Sequence, residues 1–349
     1  MKIVHIESGL GNQMLSYCEL LAILHASKDE SCYIETITYD IPDVKEFVNQ
    51  WNGYELYDIF KITTPNVRGL FDDDEWHAIL QYIIDSKFWE KNWNWPVYFT
   101  KAFSKAGLEL HNLRGDFEKD CIESKKTFMG YLRRNGIYKR IQQTKMHAIL
   151  RKYRPKSVSY KKGNPEALFY AGSEDALCGQ RLDFMYKGNG IERIDSEIRE
   201  TFTFPEIIDT QNAKVLDMIK GVQAVAIHIR RGDMLSLNKR YFQSGYYKRA
   251  VKFIKKKVPD PVFFVFCEKD GVNWCKDNGR LIGVEGNDKV FYVGFNDGKT
   301  SFRDMQLMSM CKHNIISISS FGWWGAYLNS YKHKITISPE EYINTTHNF

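Results

Sequence analysis

The residues best suited to chemistry lie at 228–233, where the apolar run Ala224-Val225-Ala226-Ile227 leads into His228-Ile229-Arg230-Arg231-Gly232-Asp233. Adjacent guanidinium groups suit an anion with several oxygens, because each gives two parallel hydrogen bonds to phosphate or carboxylate, whereas lysine acts as a point charge. Side chains alternate along a strand, so Ala224, Ala226, His228 and Arg230 share one face and Val225, Ile227, Ile229 and Arg231 the other. The two arginines therefore leave the strand end on different sides. Gly232 permits a sharp turn or the close approach of a ligand, and Asp233 can accept hydrogen bonds from the turn, from an arginine or from a ligand hydroxyl. A surface ion pair at a strand end would require no more than the same residues.

Two other segments share this design. Lys2-Ile3-Val4-His5-Ile6 reads as a buried strand, followed by Glu7-Ser8-Gly9-Leu10-Gly11-Asn12-Gln13 and an amphipathic helix carrying Met14, Leu15, Leu20, Leu21, Ile23 and Leu24. Gly9 and Gly11 have no third glycine at the dinucleotide spacing, which argues against NAD. Asn12 and Gln13 could reach a phosphate or a sugar, although Ser8 or Asn12 would serve equally as a plain helix cap. Asn314 to Ile318 reads as a strand, and Ser319-Ser320-Phe321-Gly322 turns into a helix reaching Leu328. That puts hydroxyls and the first N–H groups of a helix where phosphate oxygens bind. In open α/β sheets such strand ends gather at one ligand crevice.

The elements needed to position these groups follow from the pattern. After Gly221, strands are expected at 222–230, 261–267, 289–293, 314–318 and 334–338, with helices around 246–254, 272–276, 304–311 and 319–328. Pro261-Val262-Phe263-Phe264-Val265-Phe266-Cys267 is apolar throughout, as a parallel strand buried on both faces must be. Alternating strands and helices predict a doubly wound parallel sheet. Before Gly221, helical spacing is expected around 195–199 and 213–219, and strands at 33–38 and 128–132. With 349 residues, two domains are expected, 1–221 and 222–349. Asp72-Asp73-Asp74-Glu75 contains a D-x-D of the kind that holds a divalent metal, but the helical residues after it make it a helix start. Trp51, Tyr54, Tyr57 and Phe60 suggest an aromatic cluster, and the aromatics between Phe88 and Phe103 suit a sugar-facing wall or a second core equally well.

Composition narrows the function classes. The net charge of +6 is spread along the chain, which gives little footprint for nucleic acid and fits a small anionic ligand or an anionic membrane surface. Seven cysteines without C-x-x-C spacing indicate neither a zinc site nor a disulfide framework, and so a reducing compartment. No apolar run approaches 18 residues and the first strand starts at Lys2, so a cytoplasmic chain is expected, or one peripheral on the cytosolic face of a membrane.

Taken together, the segments resemble glycosyltransferase family 11, the α-1,2-fucosyltransferases of bacterial type. Ser8-Gly9-Leu10-Gly11-Asn12-Gln13-Met14-Leu15 resembles the family's G-G-L-G-N-Q-M-F, with Ser8 for a glycine and Leu15 for a phenylalanine. His228 to Asp233 resembles H-x-R-R-G-D, a motif shared with other enzymes that use GDP-fucose. Residues 304–316 and 319–329 resemble D-M-x-L-M-S-x-C-K-H-N-I-I and S-[ST]-F-S-W-W-G-A-W-L-N, with Gly322 for a serine and Tyr327 for a tryptophan. The likeness is strong over 222–339 and 3–24, and weak between.

The resemblance implies a GT-B type arrangement of two facing Rossmann-like α/β domains, with the acceptor side in the first domain and GDP-fucose in the second. It implies metal-independent, inverting transfer of fucose to the 2-hydroxyl of a terminal galactose, with no cofactor. The acceptor would be an oligosaccharide or a lipid-linked glycan of the lipopolysaccharide or O-antigen kind. Arg230 and Arg231 would hold the diphosphate, Ser319 and Ser320 its oxygens, and Asp304 the guanine or ribose. Phe321, Gly11 and Gln13 would line the donor, and Asn12 would lie near the reacting sugar. Asp233, His228, Glu7 and Asp116 are the candidate bases. A transferase of 1,6 or 1,3 linkage is the alternative enzyme. A glycan-binding or adhesion protein, suggested by Arg231-Gly232-Asp233 and Arg114-Gly115-Asp116, is the non-enzyme alternative and sits poorly with a cytosolic chain.

Overall fold

The computed structural model describes residues 1–112, 173–231 and 235–349, apart from 29, 45–47, 49, 50, 92, 180 and 181. Asp116, the 128–132 strand, Gly232 and Asp233 lie outside the described residues. Two compact units emerge, with 1–112, 173–184 and 189–203 in the first and 185–188 and 204–349 in the second.

The first unit opens with β1 (Lys2–His5), α1 (Leu10–Ala26) and β2 (Cys32–Glu35). It continues with α2 (Leu56–Phe60), α3 (Asp73–Ser86), α4 (Trp95–Lys105), β3 (His111–Asn112), β4 (Ala176–Cys178) and α5 (Asp195–Thr201). Its sheet runs β2-β1-β4-β3 and every pair is parallel. Ile3 and Leu177 pack there against Ile79 and Ile83 of α3 and Phe99 and Phe103 of α4. The strand expected at 33–38 stops at Glu35, whose carboxylate accepts the N–H of Ile37 and turns the chain into a short 3-10 helix.

The acidic run is a helix start, as expected. Asp72 caps α3 in a reciprocal box with Glu75, and Asp73 and Asp74 complement the positive end of the helix. Of the aromatics after 88, Phe88, Phe99 and Phe103 are core, with Trp89, Trp93 and Trp95 packed against them. The single cluster expected at 51–60 does not form. Leu56 and Ile59 take the buried positions of α2 and leave Tyr57 exposed. Trp51 meets Trp93, Tyr54 meets Tyr39 and Phe60 meets Phe202.

The second unit contains α6 (Thr210–Lys220), β5 (Gln223–Ile229), α7 (Leu235–Gln243), α8 (Tyr246–Lys257), β6 (Pro261–Cys267) and α9 (Gly271–Asp277). Then come β7 (Lys289–Val293), α10 (Phe302–Met310), β8 (His313–Ile315), α11 (Ser320–Leu328), β9 (Thr336–Ser338) and β10 (His347–Asn348). All pairs are parallel in the order β10-β9-β8-β5-β6-β7. The chain therefore starts in the middle, steps outward through β6 and β7, and returns to the other side of β5 as β8. In such a sheet the point where the order reverses, here between β5 and β8, is where a ligand crevice opens at the carboxyl ends.

Both units are thus α/β with parallel sheets, as the pattern predicts. Val225, Ile227 and Ile229 of β5 share one core with Tyr246, Tyr247, Ala250, Val251 and Ile254 of α8. Differences from the sequence reading appear at α7, which it does not anticipate, at β8, which stops at Ile315 instead of 318, at β9, which starts at Thr336 instead of 334, and at β10, too short and polar to be recognised. Among the described residues the cysteines are free thiols.

Candidate active site

At the carboxyl edge of the second sheet, the first turn of α8 fixes the strand ends. Tyr246 donates its hydroxyl to the carbonyls of Ile316 (2.7 Å) and Ile337 (3.0 Å), and Tyr247 donates to that of His228 (3.2 Å). Both tyrosines are fully buried. On this frame His228 places Nδ1 2.9 Å from the Ser317 hydroxyl, with its ring centroid 6.0 Å from that of Phe321. Burial, with the Arg230 charge adding to it, pushes the His228 pKa down to about 3. The imidazole is therefore neutral, a hydrogen-bonding partner for Ser317.

Gly322 explains one departure from the family pattern. A Cβ there would stand 2.2 Å from Nδ1 of His228, so a serine has no room while His228 faces Ser317. A second glycine of the same helix, Gly325, would bring a Cβ to 2.9 Å from the Cβ of Met308. It lets α11 lie close against α10.

The two arginines diverge as strand alternation requires. Arg230 Nη1 lies 3.4 Å from Glu268 Oε1, and the Arg231 backbone N–H donates to Glu268 Oε2 at 3.3 Å. The Arg231 guanidinium rests 3.9 Å from the centre of the Trp274 ring, a cation–π contact. Glu268 is the functional-site residue that sequence reasoning missed. It follows β6 just as Arg230 follows β5, and the register pairs Ile229 with Cys267. The signal was present only once the two strands were aligned.

Asp304, in the first turn of α10, is buried and accepts from Asn296 Nδ2 at 2.7 Å. Asn296 and Asn212 exchange amide hydrogen bonds at 2.9 Å, and Asp209 caps α6 by accepting from Asn212 N at 2.8 Å. Burial, reinforced by the Glu268 charge, raises the Asp304 pKa to about 8. Near neutral pH it keeps its proton and can itself donate. Ser319 is the N-cap of α11, but its side chain does not cap the helix. Ser319, Ser320 and Phe321 are all half-buried at this edge.

The other expected residues lie at the carboxyl edge of the first sheet. Ser8 adopts φ 67°, a left-handed conformation that glycine takes without strain. The glycine of the family pattern at this position thus has a backbone reason. Gly9 caps α1 with no side-chain bond, so neither Ser8 nor Asn12 is the cap. Gln13 is fully buried and shapes the loop: its amide NH2 donates to the carbonyls of Ser8 (2.9 Å) and Gly53 (2.7 Å), and its oxygen accepts from Glu55 N (2.9 Å). Gly11 is buried in the first turn of α1 and Asn12 is half-buried. Glu7 accepts from the Trp93 indole N–H and lies 3.4 Å from Nε2 of His5. Among the described residues, no group of three or more His, Cys, Asp or Glu is placed to hold a metal ion.

Arg230, Ser317, Ser319, the amino end of α11 and the protonated Asp304 thus share one edge of the second unit. An arginine and a helix N-terminus at a switch point suit a diphosphate, and a neutral buried carboxyl suits a base edge or a sugar hydroxyl.

The glycosyl transferase family 11 model matches residues 193–347. An alpha-1,2-colitosyltransferase from Escherichia coli is 38% identical over 148 residues, 41% of this chain and 49% of that protein. The O-antigen biosynthesis glycosyltransferase WbnK from Escherichia coli is 33% identical over 130 residues, 36% of this chain and 40% of that protein. Human galactoside alpha-(1,2)-fucosyltransferase 1 is 29% identical over 144 residues, 38% of each. The chain thus spans half or less of the length of these relatives. Residues 193–347, which carry the arginine pair, Glu268, Asp304 and the amino end of α11, are thus similar to glycosyl transferase family 11.

Proposed function

We propose that this protein transfers L-fucose from GDP-β-L-fucose to the 2-hydroxyl of a terminal β-galactoside, with inversion and without a metal, forming an α-1,2 linkage. The observation that carries the reading is the placement of Arg230 just after β5, and of Ser319 and the amino end of α11 just after β8, on adjacent strands at the switch point and within the residues that the family 11 model matches. Arg230 and Arg231 hold the diphosphate, with Ser319, Ser320 and Phe321 around it. Asp304 binds the guanine or ribose. The bond between fucose C1 and the phosphate oxygen breaks, and its electron pair leaves on GDP. The acceptor oxygen bonds to C1 from the opposite face through an oxocarbenium-like state. Preorganised donors facing the departing diphosphate contribute on the order of 3 kcal/mol to such a barrier. The first unit serves the acceptor. A lipid-linked O-antigen glycan at the inner membrane surface is an acceptor of the right class.

A second reading changes only the donor, to one carrying colitose. It is favoured by the relative at 38% identity. The test gives EDTA-treated protein either GDP-fucose or the corresponding colitose donor, with lactose and N-acetyllactosamine as acceptors, and determines product linkage by NMR. An α-1,2 product supports the reading and its donor assigns the sugar. A 1,6 or 1,3 product replaces the linkage, and no transfer from either donor overturns the assignment.

A further inference from the structure

The helix that clamps the second sheet carries a charge pattern that its own stability does not explain. Six of the twelve residues of α8 are Lys or Arg and none is acidic. Tyr246, Tyr247, Ala250, Val251 and Ile254 turn inward, so Lys248, Arg249, Lys252 and Lys256 share the opposite, exposed side. The lysines of the last turn, 255 to 257, complement the negative end of the helix. Lys248 and Arg249 do the reverse, because they stand close to the amino end, where the helix dipole disfavours cations. Lys248, Lys252 and Lys256 also follow one another at i, i+4 spacing, and like charges so placed repel. Among the described residues, Asp288 is the carboxylate that pairs with this helix, and it takes Lys255, which also donates to the carbonyl of Gly283. Lys248, Lys252 and Lys256 have no ion-pair partner among the described residues.

Apolar side chains border this stripe on both sides. On one side the single-turn helix Gly279–Ile282 packs against α8, so closely that a Cβ on Gly283 would stand 2.8 Å from the Lys248 Cα. That helix presents Leu281, 44% exposed, next to the exposed Arg280. On the other side Phe253 of α8 meets the rings of His347 (4.5 Å) and Phe349 (5.4 Å), and Phe349 is 39% exposed. Lysines are flexible point charges, less suited than arginine to fixed, bidentate recognition. A row of them bordered by exposed apolar side chains suits a surface whose anions move and whose interior is apolar. Anionic lipid headgroups over acyl chains have that chemistry, whereas a nucleic acid backbone offers the charge without the apolar layer.

We propose that the exposed face of α8 docks the protein on an anionic lipid bilayer, with Lys248, Lys252 and Lys256 over the headgroups and Leu281 and Phe349 at the apolar boundary. The headgroups supply the counter-charge that the stripe lacks and relieve its internal repulsion. Docking requires neither donor nor acceptor, so its test is independent of the transferase reading.

The test is sedimentation of the full chain with phosphatidylcholine vesicles containing about 30% phosphatidylglycerol, against phosphatidylcholine alone. Wild type should bind the anionic vesicles about tenfold tighter or more, and the difference should shrink as salt screens it. The triple variant Lys248→Gln, Lys252→Gln, Lys256→Gln should lose about 30-fold of that affinity. Its thermal midpoint should be no lower than that of wild type, because mutual repulsion is removed. The triple variant Lys214→Gln, Lys220→Gln, Lys299→Gln removes the same charge from exposed positions on other segments and should stay within about threefold of wild type. Leu281→Ser should weaken binding by about fivefold, through the loss of one inserted side chain. Equal losses in the two triple variants, equal binding of wild type to both vesicles, or binding to neither overturn the proposal. So does tighter binding to a DNA duplex than to the anionic vesicles, lost in the α8 variant, which would assign the face to nucleic acid.

Discussion

Two of the four departures from the family pattern, at Ser8 and Gly322, have a local physical cause. Ser8 holds φ 67°, where a Cβ costs roughly 1 kcal/mol relative to glycine. Its polar contribution to the loop is its carbonyl, which accepts from Gln13 and Tyr39 and survives substitution. Ser8→Gly should therefore raise stability by up to about 1 kcal/mol, seen as a higher urea midpoint, with the loop geometry kept. Gly322 is the reverse case, a position where glycine is required because His228 fills the space. Asp304 adds a pH dependence of known sign. Its folded pKa is raised from 3.8 to about 8, so its contribution is complete below pH 4 and is lost as the pH rises through 8. Asp304→Asn mimics the protonated form and removes that loss. Thermal unfolding at pH 5 and pH 8.5 should show the variant gaining on wild type at the higher pH. An equal difference at both values would mean that Asp304 is ionised throughout.

At the scale of elements, the site depends on α8 clamping the sheet edge. Tyr246→Phe removes one hydroxyl and leaves the carbonyls of Ile316 and Ile337 without that donor. The expected cost is about 1–2 kcal/mol, with the largest loss of hydrogen-exchange protection at the ends of β8 and β9. The same contact explains why β8 was misread. The apolar run of Asn314 to Ile318 suggests a strand to its end, but past Ile315 the Ile316 carbonyl goes to Tyr246 and the Ser317 hydroxyl to His228. Elements set by local pattern were legible: β6 from its unbroken apolar run, α3 from its acidic cap, and the divergence of Arg230 and Arg231 from period two. What depends on a distant partner was not. Glu268 gains meaning only opposite Arg230. Aromatic density at 88–103 could not be divided between wall and core because burial is decided by α3 packing on α4.

The whole chain is built as two α/β units. The family 11 match begins near the end of the first unit and runs through the second. The glycine loop lies outside it. No helix among the described residues is long and apolar enough to cross a membrane. Association with a lipid-linked acceptor can be measured separately from transfer. The most direct measurement is steady-state turnover of GDP-fucose with lactose in EDTA, wild type against Arg230→Lys. The account predicts transfer by the wild type and at least tenfold lower turnover in the variant, because the bidentate hold on the diphosphate is lost. Near-wild-type turnover in Arg230→Lys, or no transfer by the wild type, would contradict it.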